Sequence, residues 1–164
     1  MDLFILRHGK AEKSSDGTSD AARRLTRDGK EEVKKVAQWM KNKKIRFNVI
    51  ATSPLKRARG TAKIVAKVLD QKERLFVWDD LAPGGDLDSV CYQVSGLGSH
   101  ASILVVGHEP GVSMLISKIT GKKCVGSPGL AKAGLAKIQN YAFAKRPSGD
   151  LQWLLTPGDM KKRR

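Results

Sequence analysis

The stretch Leu3-Phe4-Ile5-Leu6-Arg7-His8-Gly9 decides the fold, together with a second stretch a hundred residues later, Ile103-Leu104-Val105-Val106-Gly107-His108. Each is a short apolar run that leads into a histidine with a glycine next to it. Such a run is typical of a strand that is buried on both faces of a parallel sheet. Ligands of these sheets bind beyond the carboxyl ends of the strands. We therefore expect His8 and His108 to lie at one sheet edge beside Arg7, an arrangement suited to chemistry on an anion such as a phosphoryl group.

Composition predicts a small basic protein with one domain. The chain has 164 residues, and 31 Lys and Arg against 16 Asp and Glu leave a net charge of +15. A length of this order suits a single core, which we place at 1–160. The positive charge favours anionic partners, including phosphorylated substrates, acidic proteins and nucleic acid. The final run Lys161-Lys162-Arg163-Arg164 is interpreted as a disordered basic tail at 161–164.

The cysteine content and the lack of long apolar runs point to the cytoplasm. Cys91 and Cys124 are too few for a disulfide framework or a zinc site, so we expect both to be reduced. No apolar stretch approaches the ~20 residues of a membrane span. The short apolar run at the start has no basic segment before it, which argues against a signal peptide.

Apolar runs alternate with amphipathic segments through most of the chain. This alternation predicts an α/β fold, a single domain whose mostly parallel central sheet has helices on both faces. The last forty residues favour a C-terminal hairpin instead, formed by 134–142 and 151–155 around the turn Pro147-Ser148-Gly149-Asp150. The other predicted strands are 2–6, 47–51, 75–78 and 102–106, and the predicted helices are 27–42 with Thr26 as N-cap, one from Ser53-Pro54, one capped by Asp86 and one opened by Pro110.

Two further observations place charged groups at the same sheet edge. The segment Ser53-Pro54-Leu55-Lys56-Arg57 follows the second strand, so Arg57 falls near the start of a helix, where the dipole and the guanidinium both favour a phosphate. His108 likewise precedes a helix N-terminus. Taken alone, His8 is equally well explained as a loop histidine bonded to backbone, and Arg57 as a solvated surface residue.

The three segments around His8, Arg57 and His108 together resemble the histidine phosphatase superfamily, which includes phosphoglycerate mutases and acid phosphatases. They match in order and in spacing over nearly the whole chain. Further stretches resemble the SixA-type phosphohistidine phosphatases, a compact group without large capping insertions. The chain departs from that group at Arg24, where a proline is usual. The stretches that carry this second resemblance are 19–26, 81–86 and 153–158.

The resemblance implies a role for each candidate residue. His8 would attack phosphorus and form a phosphohistidine intermediate, while Arg7, Arg57 and His108 would bind the phosphoryl oxygens. No counterpart of the acidic glutamate of related mutases is evident. The candidates for an acid or a supporting residue are Asp86, Glu109 and Arg23.

No cofactor is expected, and a metal site is not expected either, because the chain has only 3 histidines and no carboxylate is spaced to share a metal with two of them.

Three functions remain open at this stage. The first is removal of a phosphoryl group from phosphohistidine on a protein. The second is hydrolysis of a small phosphomonoester in the same site. The third, from a different class, is a basic module that binds nucleic acid or another anion. The Arg7, His8, Arg57 and His108 set favours an enzyme, and no nucleic-acid-binding motif is recognisable.

Overall fold

The computed structural model describes residues 1–122 and 129–163, which form an α/β fold around one six-stranded sheet. The strand order across the sheet is β3-β2-β4-β1-β5-β6. The short 3-10 helices Asp20–Ala22, Lys72–Arg74 and Asp79–Leu81 lie in the connections. The strands are β1 (Asp2–Arg7), β2 (Val49–Thr52), β3 (Leu75–Val77), β4 (Ser102–Gly107), β5 (Leu135–Phe143) and β6 (Pro147–Leu155); the helices are α1 (Arg27–Asn42), α2 (Lys56–Val68), α3 (Leu87–Ser95), α4 (Gly111–Thr120) and α5 (Pro157–Lys162).

The first four strands are parallel, as predicted. β4 pairs with β1 on one side and with β2 on the other, and β3 extends the sheet beyond β2. The strands β5 and β6 are antiparallel. In the β1–β4 register Arg7 lies opposite Gly107. The residues that follow, His8 and His108, therefore leave the sheet side by side at its carboxyl edge.

Helices cover both faces of the sheet, which confirms the predicted layers. Along β1 the side chains alternate, so that Phe4 and Leu6 face one core and Leu3 and Ile5 face the other. All four are at most 2% exposed. The continuous apolar run is thus required by burial on both faces. The first core is closed by α1, α2 and α5, and the second by α3 and α4.

The first turn of α1 is capped by Thr26 and packs closely against the loop that follows β1. Thr26 caps the helix by accepting a hydrogen bond from the Gly29 backbone N–H at 3.0 Å, as predicted. At Gly29 a Cβ would lie only 2.1 Å from the carbonyl oxygen of Lys10. Only glycine lets the two backbones approach this closely. This contact holds the loop that leads from β1 into the site.

The prediction that Ser53 caps α2 is wrong. The helix begins at Lys56, with Leu55 at the N-cap position and no side-chain cap. The Ser53 hydroxyl accepts a hydrogen bond from the Leu55 N–H at 3.2 Å, which stabilises the turn between β2 and α2. Helix α4 begins at Gly111, one residue after the predicted Pro110.

The C-terminal hairpin is present, but its turn was misplaced. The turn lies at 144–146, and Pro147-Ser148-Gly149-Asp150 belongs to β6. A proline is tolerated as the first residue of an edge strand because its missing N–H is not needed there. Gly149 packs so closely on β5 that a Cβ would meet Ile138 at 2.6 Å. Proline and glycine, which are common in turns, therefore lie within a strand here.

The predicted disordered tail, 161–164, begins within a helix in the structure. Helix α5 is held by a capping box between Thr156 and Asp159, and it continues through Lys161 and Lys162. Arg164, and Cys124 with its predicted reduced state, lie outside the described residues. No helix in the described part of the chain is long and apolar enough to cross a membrane.

Candidate active site

The two histidines meet at the carboxyl edge of the sheet. His8 follows β1 and His108 follows β4, and their ring centroids are 5.0 Å apart. The backbone N–H of His8 donates to the carbonyl oxygen of Gly107 at 3.1 Å, extending the β1–β4 ladder by one residue. Both side chains are buried, with 8% and 4% exposure. The structure therefore brings together the pair that the apolar runs predicted.

The His8 ring is oriented by the backbone of the next residue. Its Nδ1 lies 2.7 Å from the carbonyl oxygen of Gly9. A carbonyl can only accept, so Nδ1 carries the hydrogen and Nε2 keeps its lone pair. Burial, opposed in part by the Gly9 hydrogen bond and assisted by the charges of Arg57 and Arg7, lowers the pKa of His8 to about 4. His8 is therefore neutral at physiological pH, with a free nucleophilic nitrogen.

Gly9 fixes the position of this loop against α1 and α2. A Cβ at Gly9 would lie 2.6 Å from Cγ2 of Val33. Its backbone N–H donates to the Thr61 hydroxyl at 3.1 Å, and that hydroxyl donates to the carbonyl oxygen of Arg57 at 2.9 Å. The loop that carries His8 and the helix that carries Arg57 are thus joined through the buried hydroxyl of Thr61.

Arg57, in the first turn of α2, is held by an aspartate that the sequence analysis did not single out. Its Nη1 donates to the backbone oxygen of Asp20 at 2.7 Å, and its Nη2 donates to Oδ2 of the same residue at 2.9 Å. The other carboxylate oxygen, Oδ1, accepts from Arg23 at 2.8 Å. These hydrogen bonds, first from Arg23 and then from Arg57, lower the pKa of Asp20. The carboxylate thus links the two arginines.

Arg23 supports the site from the loop after β1. Besides the bond to Asp20, its Nε donates to the carbonyl oxygen of Glu12 at 2.7 Å. Its positive charge also contributes to the lowered pKa of His8. Arg23 therefore contacts the carboxylate that also binds Arg57, and its supporting role stays a prediction.

Two buried nitrogen atoms beside His8 have no hydrogen-bond partner among the described residues. They are Nε of Arg7 and Nδ1 of His108. Arg7 is anchored at its other end, since Nη1 donates to the Leu130 carbonyl at 2.8 Å. His108 is anchored through Nε2, which lies 2.7 Å from the Ser53 hydroxyl. Buried polar groups in folded proteins are almost always paired, so two such nitrogens near His8 indicate a place where a polar ligand can bind.

His108 is also neutral. Its pKa is lowered to about 3, chiefly by burial and also by the repulsion that a charged His108 would meet from a protonated His8 and from Arg57. The site therefore concentrates positive charge on its arginines and leaves both imidazoles uncharged.

Both candidate acids accept hydrogen bonds from backbone or side-chain groups of helices and loops around the site. Asp86 caps α3, accepting from the N–H groups of Asp88 at 2.8 Å and Ser89 at 3.3 Å. One oxygen of Glu109, Oε1, accepts from the Ser113 hydroxyl at 2.6 Å and from the Leu130 N–H at 2.9 Å. Glu109 borders the site, however, because it lines a pocket of about 260 Å³ with His108. Among the residues that the structure describes, no group of His, Cys, Asp and Glu could hold a metal ion.

Comparison with known proteins identifies the class. A family model for branch 1 of the histidine phosphatase superfamily matches residues 3–82. The chain is 30% identical over 165 residues to the phosphohistidine phosphatase SixA of Escherichia coli, covering 98% of this chain and 97% of that protein. It is 32% identical over 132 residues to the SixA homolog of Haemophilus influenzae, covering 75% and 79% of the two chains.

The fold agrees with this sequence relationship. A structure of the protein histidine phosphatase SixA complexed with tungstate superposes with a TM-score of 0.84 at 28% identity, covering 98% of this chain and 99% of that one. The protein therefore belongs to the histidine phosphatase superfamily and is a phosphatase, a hydrolase with the fold of the SixA and phosphoglycerate mutase-like enzymes.

Proposed function

We propose that the protein removes the phosphoryl group from phosphohistidine on another protein, through a covalent phosphohistidine intermediate on His8. One observation carries this proposal: the His8 ring, whose Nδ1 is held by Gly9 and whose lone pair is on Nε2, lies 5.0 Å from the His108 ring, and His108 Nδ1 and Nε of the adjacent Arg7 are buried without partners among the described residues. A nucleophile next to free donors is the arrangement that phosphoryl transfer requires, because its catalysis consists of positioning and charge stabilisation.

The first step transfers the phosphoryl group to the enzyme. His8 Nε2 attacks phosphorus in line, the new P–N bond forms, and the P–N bond to the substrate imidazole breaks. The leaving imidazole keeps that electron pair. Arg7, Arg57 and His108 bind the phosphoryl oxygens and stabilise the charge in the transition state.

The second step regenerates the enzyme. A water molecule attacks the phosphorus of the intermediate, the bond to His8 Nε2 breaks, and inorganic phosphate leaves with the oxygen of that water. His8 recovers its lone pair, and its Nδ1–H remains bonded to Gly9 throughout. The backbone carbonyl therefore keeps the ring in one orientation for both steps.

The positions of the carboxylates support phosphohistidine as the substrate. An alkoxide leaving group needs a strong proton donor, whereas a protonated phosphoramidate releases a neutral imidazole. Asp86 is a helix cap, and Glu109 is bonded to Ser113 and Leu130. A site without a dedicated acid suits an imidazole leaving group. Equal efficiency on an alkyl phosphomonoester would contradict this substrate assignment.

The relatives and the charge support a phosphorylated protein as the partner. The Escherichia coli and Haemophilus influenzae relatives are named for phosphohistidine phosphatase activity. The net charge of +15 would steer an acidic phosphoprotein to the site. In this proposal no cofactor or metal takes part, and nucleic acid is not the ligand.

Phosphate release separates the three candidate functions. The purified protein is incubated with a phosphohistidine-bearing protein and, separately, with para-nitrophenyl phosphate. We expect release from phosphohistidine, a loss of at least about 10³-fold in the His8→Ala variant, and little change in His100→Ala, which alters an exposed histidine. Release from the small ester alone would assign a metabolite substrate. No release from either by a folded protein would favour the binding module, whose affinity for DNA should fall steeply with salt.

A further inference from the structure

We propose that Ser53 is a positioning residue that fixes the tautomer of His108, so that the proton lies on Nδ1 and this nitrogen donates to the phosphoryl group. The phosphoryl ligand in this inference rests on the proposed function; the tautomer itself does not. The sequence pattern suggested that Ser53 was a helix cap, a role that it does not have.

The direction of the Ser53–His108 hydrogen bond follows from the hydrogens available. The Ser53 side chain is fully buried. Its oxygen already accepts from the Leu55 N–H at 3.2 Å. The hydroxyl hydrogen needs an acceptor, and among the described residues the one within reach is His108 Nε2 at 2.7 Å. If Nε2–H were the donor instead, the hydroxyl hydrogen would be buried without an acceptor, which folded proteins avoid.

The direction of this hydrogen bond determines the tautomer of His108. A neutral imidazole carries a single N–H, and Nε2 must be bare in order to accept from Ser53. The hydrogen therefore lies on Nδ1. This nitrogen is buried and has no partner among the described residues, and its ring is 5.0 Å from that of His8. We infer that this N–H is the hydrogen-bond donor that His108 offers to a phosphoryl group bound beside His8.

The backbone holds Ser53 in register with His108. Ser53 follows β2, and its N–H donates to the carbonyl oxygen of Val106 at 3.0 Å. Val106 lies in β4, two residues before His108. Ser53 and His108 therefore each lie one residue beyond one of two paired strands, and the Ser53–Val106 hydrogen bond ties Ser53 to the strand that leads to His108.

The test uses a pair of substitutions that differ only in the hydroxyl. Ser53→Thr keeps a hydroxyl at this position, and Ser53→Val has nearly the same volume without one. We expect Ser53→Val and Ser53→Ala to lower kcat/KM about 10- to 100-fold, below the loss for removing a donor outright. Ser53→Thr should keep kcat/KM within about threefold of the wild type, since it restores the donor. Thermal unfolding of each variant shows whether it folds.

A second measurement reads the tautomer in the unaltered protein. Two-dimensional ¹H–¹⁵N correlation spectra of histidine rings distinguish a protonated from a bare nitrogen, and the wild type should show His108 protonated at Nδ1. In Ser53→Val a mixture or the opposite tautomer is expected. A wild-type ring with bare Nδ1, or equal activity of Ser53→Thr and Ser53→Val, would overturn the inference. Because the spectra need no substrate, a failure of the proposed phosphatase substrate would leave this result interpretable.

Discussion

His8 and His108 occupy equivalent places at the ends of two paired strands, yet the two regions prepare their imidazoles in opposite ways. After β1, the Gly9 carbonyl accepts from His8 Nδ1. After β4, the Ser53 hydroxyl bonds His108 Nε2. A carbonyl can only accept, whereas a hydroxyl can donate. In the proposed mechanism the same residue type is therefore a nucleophile at one strand end and a hydrogen-bond donor at the other, and the neighbouring carbonyl or hydroxyl determines which.

Burial is what makes this division possible. It lowers the pKa of His8 to about 4 and that of His108 to about 3. A charged imidazole carries hydrogens on both nitrogens, and the two rings would then be chemically alike. Keeping both neutral lets each ring hold one tautomer, while Arg7 and Arg57 supply the positive charge that a phosphoryl group needs.

The largest test of the comparison replaces His108 with amides that mimic one ring nitrogen each. The amide of Asn places its NH₂ near the position of Nδ1, and that of Gln places it near Nε2. We expect His108→Gln to lower kcat/KM about 10²- to 10³-fold, as for the loss of one donor in a charge-stabilising site. His108→Asn should retain about tenfold more activity than His108→Gln, because it keeps the donor that faces the site. Equal losses would mean that the two nitrogens of His108 do not differ in role.

A smaller effect on kcat/KM is expected from changing Asp20, whose carboxylate binds both Arg57 and Arg23. Asp20→Asn removes the charge that bonds Arg57 and Arg23, so we expect kcat/KM to fall about twofold to fivefold, in line with an ion pair that is largely exposed on one side. Asp16→Asn removes a charge from the same loop and should leave kcat/KM unchanged. A rise in kcat/KM of Asp20→Asn would show instead that Asp20 competes with the substrate for Arg57.

The lowered pKa of His8 predicts how the nucleophile depends on pH. His8 should stay neutral down to about pH 5 and be half protonated near pH 4, which halves the reactive fraction there. A histidine ring titration followed by NMR in the absence of substrate measures this directly. A titration of His8 near its ordinary value of about 6.5 would show that the ring is not buried in solution.

The lowered pKa values of His8 and His108 also predict that the free energy of unfolding decreases in mild acid. An unfolded chain binds protons on these two rings near about pH 6.5, whereas the folded chain binds them only near 4 and 3. Between these values the unfolded state holds more protons, so the contribution of both rings to stability falls as the pH drops through that window. Urea unfolding at about pH 7 and pH 5 should show this loss, and it should shrink in the His8→Asn variant.

The smallest effect on activity is expected at Asp86. Its carboxylate caps α3, so Asp86→Ala should lower the free energy of unfolding by about 1 kcal/mol and leave kcat/KM unchanged. Asp86→Ser replaces the carboxylate with another capping group and should restore most of the stability. A loss of activity in Asp86→Ser, which has no acid, would mean that Asp86 is the proton donor after all.

The parts of this structure that could be predicted are those set by local pattern. Apolar runs buried on two faces gave β1 and β4, and with them the meeting of His8 and His108. Contacts between distant segments could not be predicted in the same way. Asp20 reaches Arg57 across 37 residues of chain, and Ser53 reaches His108 across 55.

Residue types that favour more than one structure caused the errors. A serine before a proline is a common helix cap, but the Ser53 hydroxyl forms a hydrogen bond with the buried imidazole of His108 instead. Pro147 and Gly149 are common in turns, but the close packing of β5 on β6 makes the glycine necessary within a strand. In both cases a tertiary contact decided between two local options.

In the proposed mechanism His8 attacks phosphorus through Nε2 because Gly9 holds Nδ1. The most direct measurement traps the intermediate by rapid alkaline quenching after mixing with a phosphohistidine-bearing protein, and locates the phosphoryl group by peptide mapping and ³¹P–¹⁵N NMR. The account predicts phosphorus bonded to Nε2 of His8, and none in His8→Ala. A phosphoryl group on Nδ1 of His8, on His108, or on no residue while phosphate is released, would contradict it.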